Sequence, residues 1–354
     1  MAPNTENLTA VLMKKDDLRM EQRPIPEPKD DEVLLKMGCV GICGSDIHYL
    51  VHGSCAGFVV KQPMVIGHEG SGTVAKVGKN VKNVKPGDRV AIEPGVPCRR
   101  CEFCVKGEYN LCPNIFFCAT PPDNGNLCQY YTHDASFCHK LPDNMSLEEG
   151  AMMEPLSVGV HACNQANIKF GDNVLITGCG PIGLVSLLAA KAMGATKVIM
   201  TDIVEHRMQI ALKAGADAVV DVSKGTIDDH TAQIKSIFGG ELPRATLDCT
   251  GFEASMRLAI NSTKPGGIIV LVGMGCSTDM KLPLTAALSR EITIKGVFRY
   301  RNCYPTAIAM VSSGKANVKQ FITHNFNLDQ SLEAFDTARH GKGNPVKVMI
   351  HCSK

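Results

Sequence analysis

The 354-residue sequence contains no tryptophan, and aromatic residues make up only 5% of it. A surface that binds nucleic acid needs a basic excess and aromatic platforms for the bases, but the net charge here is +2. Long apolar runs are missing too. Stretches such as residues 267–274 fall far short of the roughly 20 residues that span a bilayer. Residues 1–10 are polar and lack the apolar centre of a signal peptide. The expectation is a cytoplasmic protein with neither nucleic acid nor membrane as partner.

What the chain has in quantity is cysteine, 16 in all. In a long chain without a secretion signal, so many thiols suggest metal ligands and buried core residues rather than a disulfide framework. The length itself favours two domains. Residues 1 to about 150 alternate short strand-like segments (33–37, 72–77, 89–92) with turns such as Lys85-Pro86-Gly87-Asp88. From about 171 the rhythm changes to short apolar strands separated by helices, the signature of a doubly wound parallel sheet.

Two clusters in the first half carry chemistry. Cys43-Gly44-Ser45-Asp46-Ile47-His48 is followed after 18 residues by Gly67-His68-Glu69, which together offer thiolate, imidazole and carboxylate, the side chains zinc accepts. Cys98, Cys101, Cys104 and Cys112 follow a C-x2-C-x2-C-x7-C spacing that can wrap one tetrahedral ion. Four thiolates leave no open position, so that site is structural. Arg99 and Arg100 are expected to offset part of its negative charge, and Glu102 and Glu108 argue against a nucleic-acid zinc knuckle. Farther on, Ser146 and Glu149 fit a capping box, starting a helix that carries Glu154 to Pro155. Glu154 lies among Ala151, Met152, Met153 and Leu156, and carboxylates are seldom buried unless paired or metal-bound.

In the second half, the strand at 173–177 runs straight into Gly178-Cys179-Gly180-Pro181-Ile182-Gly183 and an apolar helix, and Asp202 stands 19 residues after Gly183. Between strand and helix, with an acidic residue at that distance, this is a dinucleotide fingerprint. Gly178 permits the turn, Gly180 lets backbone approach the pyrophosphate, Gly183 lets helix and strand pack, and the helix N-terminus faces the phosphates. Asp202 can accept the ribose hydroxyls and repels a 2′-phosphate, favouring NAD, although Arg207 nearby tempers that choice. Further cofactor contacts are expected from Ile182, and from Val272, Gly273, Met274, Val297, Phe298 and Arg299, where two later strands end.

Taken together, these motifs resemble the zinc-containing medium-chain dehydrogenase/reductase family. Gly67-His68-Glu69-x2-Gly72-x5-Gly78-x2-Val81 matches the family's zinc signature and the four cysteines match its structural-zinc lobe. Similarity to the polyol-dehydrogenase branch is carried by residues 43–49 and 116–122, Glu154-Pro155-Leu156-Ser157 and Gly296-Val297-Phe298-Arg299-Tyr300. Mammalian members of that branch have lost most of the four-Cys lobe, whereas this chain keeps it, as do insect and microbial members with two zincs per subunit.

The resemblance implies a GroES-like irregular β catalytic domain (1–155), a Rossmann domain (156–298) and a C-terminal return to the catalytic domain (299–354). It implies reversible oxidation of a polyol of the sorbitol, xylitol or L-iditol type to its ketose, with zinc stabilising the alkoxide from which hydride passes to NAD. It also implies a homotetramer. Cys43, His68 and a glutamate would hold the metal. The resemblance makes Glu69 the ligand and Glu154 the residue that bonds the metal's water, but bare chemistry admits either carboxylate. Ser45 and His48 would pass the proton to solvent, and Tyr49, Phe58, Phe117, Thr120, Glu154, Arg299 and Tyr300 would line the substrate pocket. Rival readings are another zinc alcohol dehydrogenase (xylitol, threitol or threonine) and a dinucleotide-binding scaffold without turnover.

Overall fold

A computed structural model describes residues 6–275 and 279–353. The chain forms two compact units, one from residues 1–154 with 318–354, the other from 155–317. The return to the first unit therefore falls at Val318, not at 299. The segment between includes an apolar helix, Tyr304–Ser312, that buries Tyr304, Ala307, Met310 and Val311 and stays with the second unit.

In the first unit, strand Glu32–Gly41 is the centre of a seven-stranded sheet. Glu69–Val77 pairs antiparallel along one side of it, and Tyr130–Asp134 and Lys347–His351 share the other. The inward side chains Val33, Leu35, Met37, Val74, Val90, Ile92, Val348 and Ile350 form the core. The final strand thus lies beside a strand some 300 positions earlier, with Met349 opposite Gly41. Strands Asn7–Lys14 and Asp17–Arg23 make a long N-terminal hairpin that the sequence pattern did not announce.

Helices depart from expectation in three places. Gly44–His52, given no secondary structure by the motif alone, is a helix ended by Gly53 in the left-handed region (φ 69°). The capping box at Ser146 is present: Ser146 Oγ accepts from Glu149 N–H and Glu149 Oε2 accepts from Ser146 N–H. The helix it starts stops at Ala151, however, and a second one runs Met153–Gln165. Pro155 falls in that helix's first turn, where its missing N–H costs nothing, so it does not act as a stop. A further helix, Ser331–His340, follows in the tail.

The second unit holds a six-stranded, wholly parallel sheet in the order 218–221, 197–202, 173–177, 245–248, 268–271, 293–296. That is the 3-2-1-4-5-6 order of dinucleotide-binding folds, whose ligand crevice lies at the carboxyl ends where the order reverses. Here the reversal falls between Asn173–Thr177 and Ala245–Asp248. Both strands are buried over almost their full length.

Candidate metal centre and cofactor site

Cys43 stands at the N-cap of the Gly44–His52 helix, and Asp46, at N3, accepts the Cys43 N–H through Oδ2 at 2.9 Å. Asp46 is fully buried, and its Oδ1 lies 3.4 Å from His68 Nδ1 with no closer hydrogen-bond partner. A carboxylate on one ring nitrogen leaves Nε2 for a metal, the usual outer support of a ligating histidine. Glu69 opens the strand Glu69–Val77 and is paired with Gly41 of the central strand. A Cβ on Gly41 would press on Glu69 Oε2, so glycine there leaves the carboxylate room in its position against Lys347.

Cys43, His68 and Glu69 offer ligand atoms that all lie within 4.8 Å of one another. Glu154, buried at the start of the Met153–Gln165 helix, is not a member of that group. The donor set of sulfur, nitrogen and oxygen, three from protein, fits a zinc site with one position left for a ligand. The electrostatics fit as well. Burial resists a charge on His68, but Asp46 and Cys43 outweigh it and hold its pKa well above the ordinary histidine value. The pocket is built to attract positive charge.

A residue that sequence reasoning passed over completes the cluster. Lys347, on the final strand, donates to Glu69 Oε1 and Oε2, each at 2.7 Å, and to the Ile42 carbonyl at 3.1 Å. Burial opposes its charge, but Glu69, Cys43 and Glu154 more than offset that and raise its pKa. A lysine inside the apolar run Val346 to Ile350 was the available signal, by the same burial argument that singled out Glu154.

The other expected residues are distributed over both units. Phe117 is buried with its ring 6.2 Å from that of His68. Burial pushes the Tyr49 hydroxyl up to about 12, against the pull of a hydrogen bond with Thr120, so Tyr49 stays neutral. Phe58 lines a cavity of about 440 Å³ together with Met64, Pro121 and Pro122. His48 and Ser45 are half-buried on the Gly44–His52 helix, and burial together with His52 lowers the His48 pKa. Arg299 and Tyr300 belong to the second unit. There the Arg299 guanidinium lies 4.7 Å from the centre of the Phe298 ring, and Tyr300 is buried against Tyr304.

The four cysteines of the lobe also converge, with Sγ atoms within 4.8 Å of one another. Backbone N–H groups of Arg100 and Cys101 draw the Cys98 thiol down to about 6, while burial pushes Cys104 up to about 12. An all-thiolate set suits a closed structural zinc. Arg99 does not serve as its counter-charge: it pairs with Asp134 at 2.5 Å and lies over the Phe137 ring, fastening the lobe to the sheet.

In the second unit Gly178 has φ 94°, and a Cβ on Gly183 would stand 1.8 Å from the Gly178 carbonyl, so helix Pro181–Ala192 must pack on glycine. A Cβ on Gly180, the N-cap, would meet nothing within 4 Å, which leaves the helix N-terminus open to an anion. Asp202 accepts three backbone N–H groups, from Cys179, Ile203 and Val204. Ile182 sits in the first turn of the helix and half-buried Arg207 in the helix that follows Asp202. Val272, Gly273 and Met274 follow one strand end and Val297 and Phe298 another. Exposed Ile203, Phe252 and Met274 add apolar surface at these carboxyl ends, the first two unannounced by any motif.

Residues 29–143 match the family model of the alcohol dehydrogenase GroES-like domain, and residues 181–313 that of zinc-binding dehydrogenases. The chain is 54% identical over 351 residues to sorbitol dehydrogenase of Bos taurus, covering 99% of this chain and 98% of the relative. The chain belongs to the zinc-containing medium-chain dehydrogenase/reductase family, close to sorbitol dehydrogenase. Within that family the human sorbitol dehydrogenase is 52% identical over 351 residues, spanning 99% of this chain and 97% of the relative. Among solved structures, 2R,3R-butanediol dehydrogenase from Bacillus subtilis superposes with a TM-score of 0.89 at 31% identity, covering 98% of this chain and 99% of that one. This medium-chain dehydrogenase therefore pairs a GroES-like β unit with a Rossmann-like parallel sheet.

Proposed function

We propose that this dehydrogenase catalyses the reversible, zinc-dependent oxidation of polyols of the sorbitol, xylitol and L-iditol type to ketoses, with NAD as hydride acceptor. The observation that carries the reading is the convergence of Cys43, His68 and Glu69 in a chain more than half identical, end to end, to a sorbitol dehydrogenase. When bound, zinc supplies a Lewis acid for the substrate oxygen and NAD takes up the hydride.

The chain's own residues do the rest. Cys43, His68 and Glu69 hold the metal, and Asp46 fixes the ring of His68. In this reading Glu154 bonds the ligand at the open position. His48, neutral near pH 7 because burial lowers its pKa, can take the alcohol proton passed by Ser45 and release it to solvent. Neutral Tyr49 and its partner Thr120 present hydroxyls to a substrate with many hydroxyls of its own. Phe117 excludes water beside His68.

The four-Cys lobe holds a second zinc, giving two per chain, and a cytoplasmic setting suits both sites because they need reduced thiols. Gly178, Gly180, Gly183 and Asp202 bind NAD in preference to NADP. The protein is a homotetramer in this reading. Thr293–Gly296, the outer strand of its sheet, is exposed, and Leu288 on the helix before it is 79% exposed, a surface suited to a second copy.

A panel of sorbitol, xylitol, L-iditol, threitol and 2,3-butanediol, run with NAD and with NADP, tests the substrate assignment, with zinc measured on the same sample. Turnover of the longer polyols with NAD and about two zincs per chain are expected. Preference for the simple diol would reassign the substrate, and one zinc or none would remove the second site.

A further inference from the structure

Glu69 is asked to do two things in this structure. It is one of three donors within 4.8 Å of one another, and both of its oxygens are taken by the Lys347 ammonium at 2.7 Å. The pair is deeply buried, with Lys347 3% and Glu69 1% exposed. Lys347 spends its third proton on the carbonyl of Ile42, the residue before Cys43. All three donors of the ammonium are therefore committed, and they tie the last strand to both segments that carry metal donors. No motif of the dehydrogenase uses this lysine.

The charges around it explain why a cation is needed. Asp46 and Glu69 are both buried; Asp46 faces His68, and both oxygens of Glu69 face Lys347. A buried carboxylate is costly unless a cation or hydrogen-bond donors face it. When a divalent ion is present, it neutralises the group. Before one arrives, something fixed in the fold has to.

We propose that Lys347 is a positioning residue, an internal counter-ion that holds Glu69 and the metal-free pocket in place and competes with zinc for the same carboxylate. The proposal rests on the reading of Cys43, His68 and Glu69 as the catalytic zinc site. Two sites that contend for one group are coupled reciprocally: what lysine contributes to the empty pocket is subtracted from what zinc gains on entering. Lys347→Met therefore leaves a metal-free protein that is less stable and a folded state that binds zinc more tightly.

The test compares the parent protein, Lys347→Met and Lys347→Arg as full chains, stripped with a chelator. Thermal midpoints are recorded with and without zinc, and zinc affinity is measured by competition against a chromogenic chelator. For Lys347→Met the metal-free midpoint falls, the zinc-induced rise exceeds the parent's, and the zinc equivalent beyond the four-Cys one gains about tenfold in affinity. Lys347→Arg, which keeps the charge, stays near the parent. The four-Cys site is common to all three and cancels in the comparison.

A zinc-induced rise equal to or smaller than the parent's overturns the proposal. So does a Lys347→Met protein that fails to fold even with zinc, because the metal then does not substitute for the lysine. A different result, parent protein that takes up no zinc beyond the four-Cys equivalent, strikes instead at the reading of the donor trio.

Discussion

Cys43→Ala lowers kcat/KM for polyol oxidation by roughly 10³-fold or more, while NAD affinity changes little. The size follows from what is lost. A Lewis acid at the substrate oxygen is worth several kcal/mol of transition-state stabilisation, and about 4 kcal/mol corresponds to a thousandfold in rate. Removing the only thiolate from a three-donor set leaves His68 and Glu69, too few to hold the ion in a fixed geometry. The proposed cofactor elements, Gly178 to Gly183 and Asp202, belong to the other compact unit and are untouched by the change. Steady-state kinetics with sorbitol, beside a titration of NAD binding, checks both halves. Full activity in the variant would overturn the assignment of Cys43, and loss of NAD binding would mean that the substitution damaged more than the metal site.

Asp202→Ala shifts the preference between NAD and NADP by about 10- to 100-fold toward NADP, the range expected for hydrogen bonds to a charged group. In the structure the carboxylate already accepts N–H groups from Cys179, Ile203 and Val204. It thus braces the first turn of the fingerprint, and in the proposed binding mode it also offers oxygen lone pairs to a ribose. The two contributions separate by cofactor. Loss of the brace weakens NAD and NADP alike, whereas loss of the ribose contact and of the repulsion toward a 2′-phosphate moves only their ratio. Arg207, nearby on the next helix, is then free to act on the phosphate. Measured kcat/KM for both cofactors decides it, and an unchanged ratio would mean that Asp202 does not discriminate.

How much could be read from the sequence depended on how local the physics was. The fingerprint was legible because a turn, a helix N-terminus and a close strand–helix packing are all settled within six residues, and Gly183 against the Gly178 carbonyl bears this out. The four-Cys lobe was legible for the same reason: its spacing is its geometry. In the donor cluster, Cys43 and the His68-Glu69 pair showed themselves by residue type, but which carboxylate stands with them came only from the resemblance and not from bare chemistry, because it depends on strand pairing. Gly41 opposite Glu69 sets it.

Lys347 stood out only as a lysine in an apolar run; its role was not legible, since its partner lies 278 positions away and meets it only once the last strand joins the central sheet. Pro155 misled in the other direction, because a proline that ends one helix and a proline that opens the next look alike until the break at Met152 is seen. The crossing at Val318 was misplaced for a similar reason: the loyalty of the Tyr304–Ser312 helix is a matter of packing, not of periodicity.

The most direct measurement is sorbitol oxidation, followed as NADH formation, on protein stripped of metal and then refilled with zinc. Turnover should be NAD-dependent, vanish on stripping and return with zinc. A stripped protein that still oxidises sorbitol, or a zinc-filled protein that binds NAD and oxidises no polyol, would contradict the account.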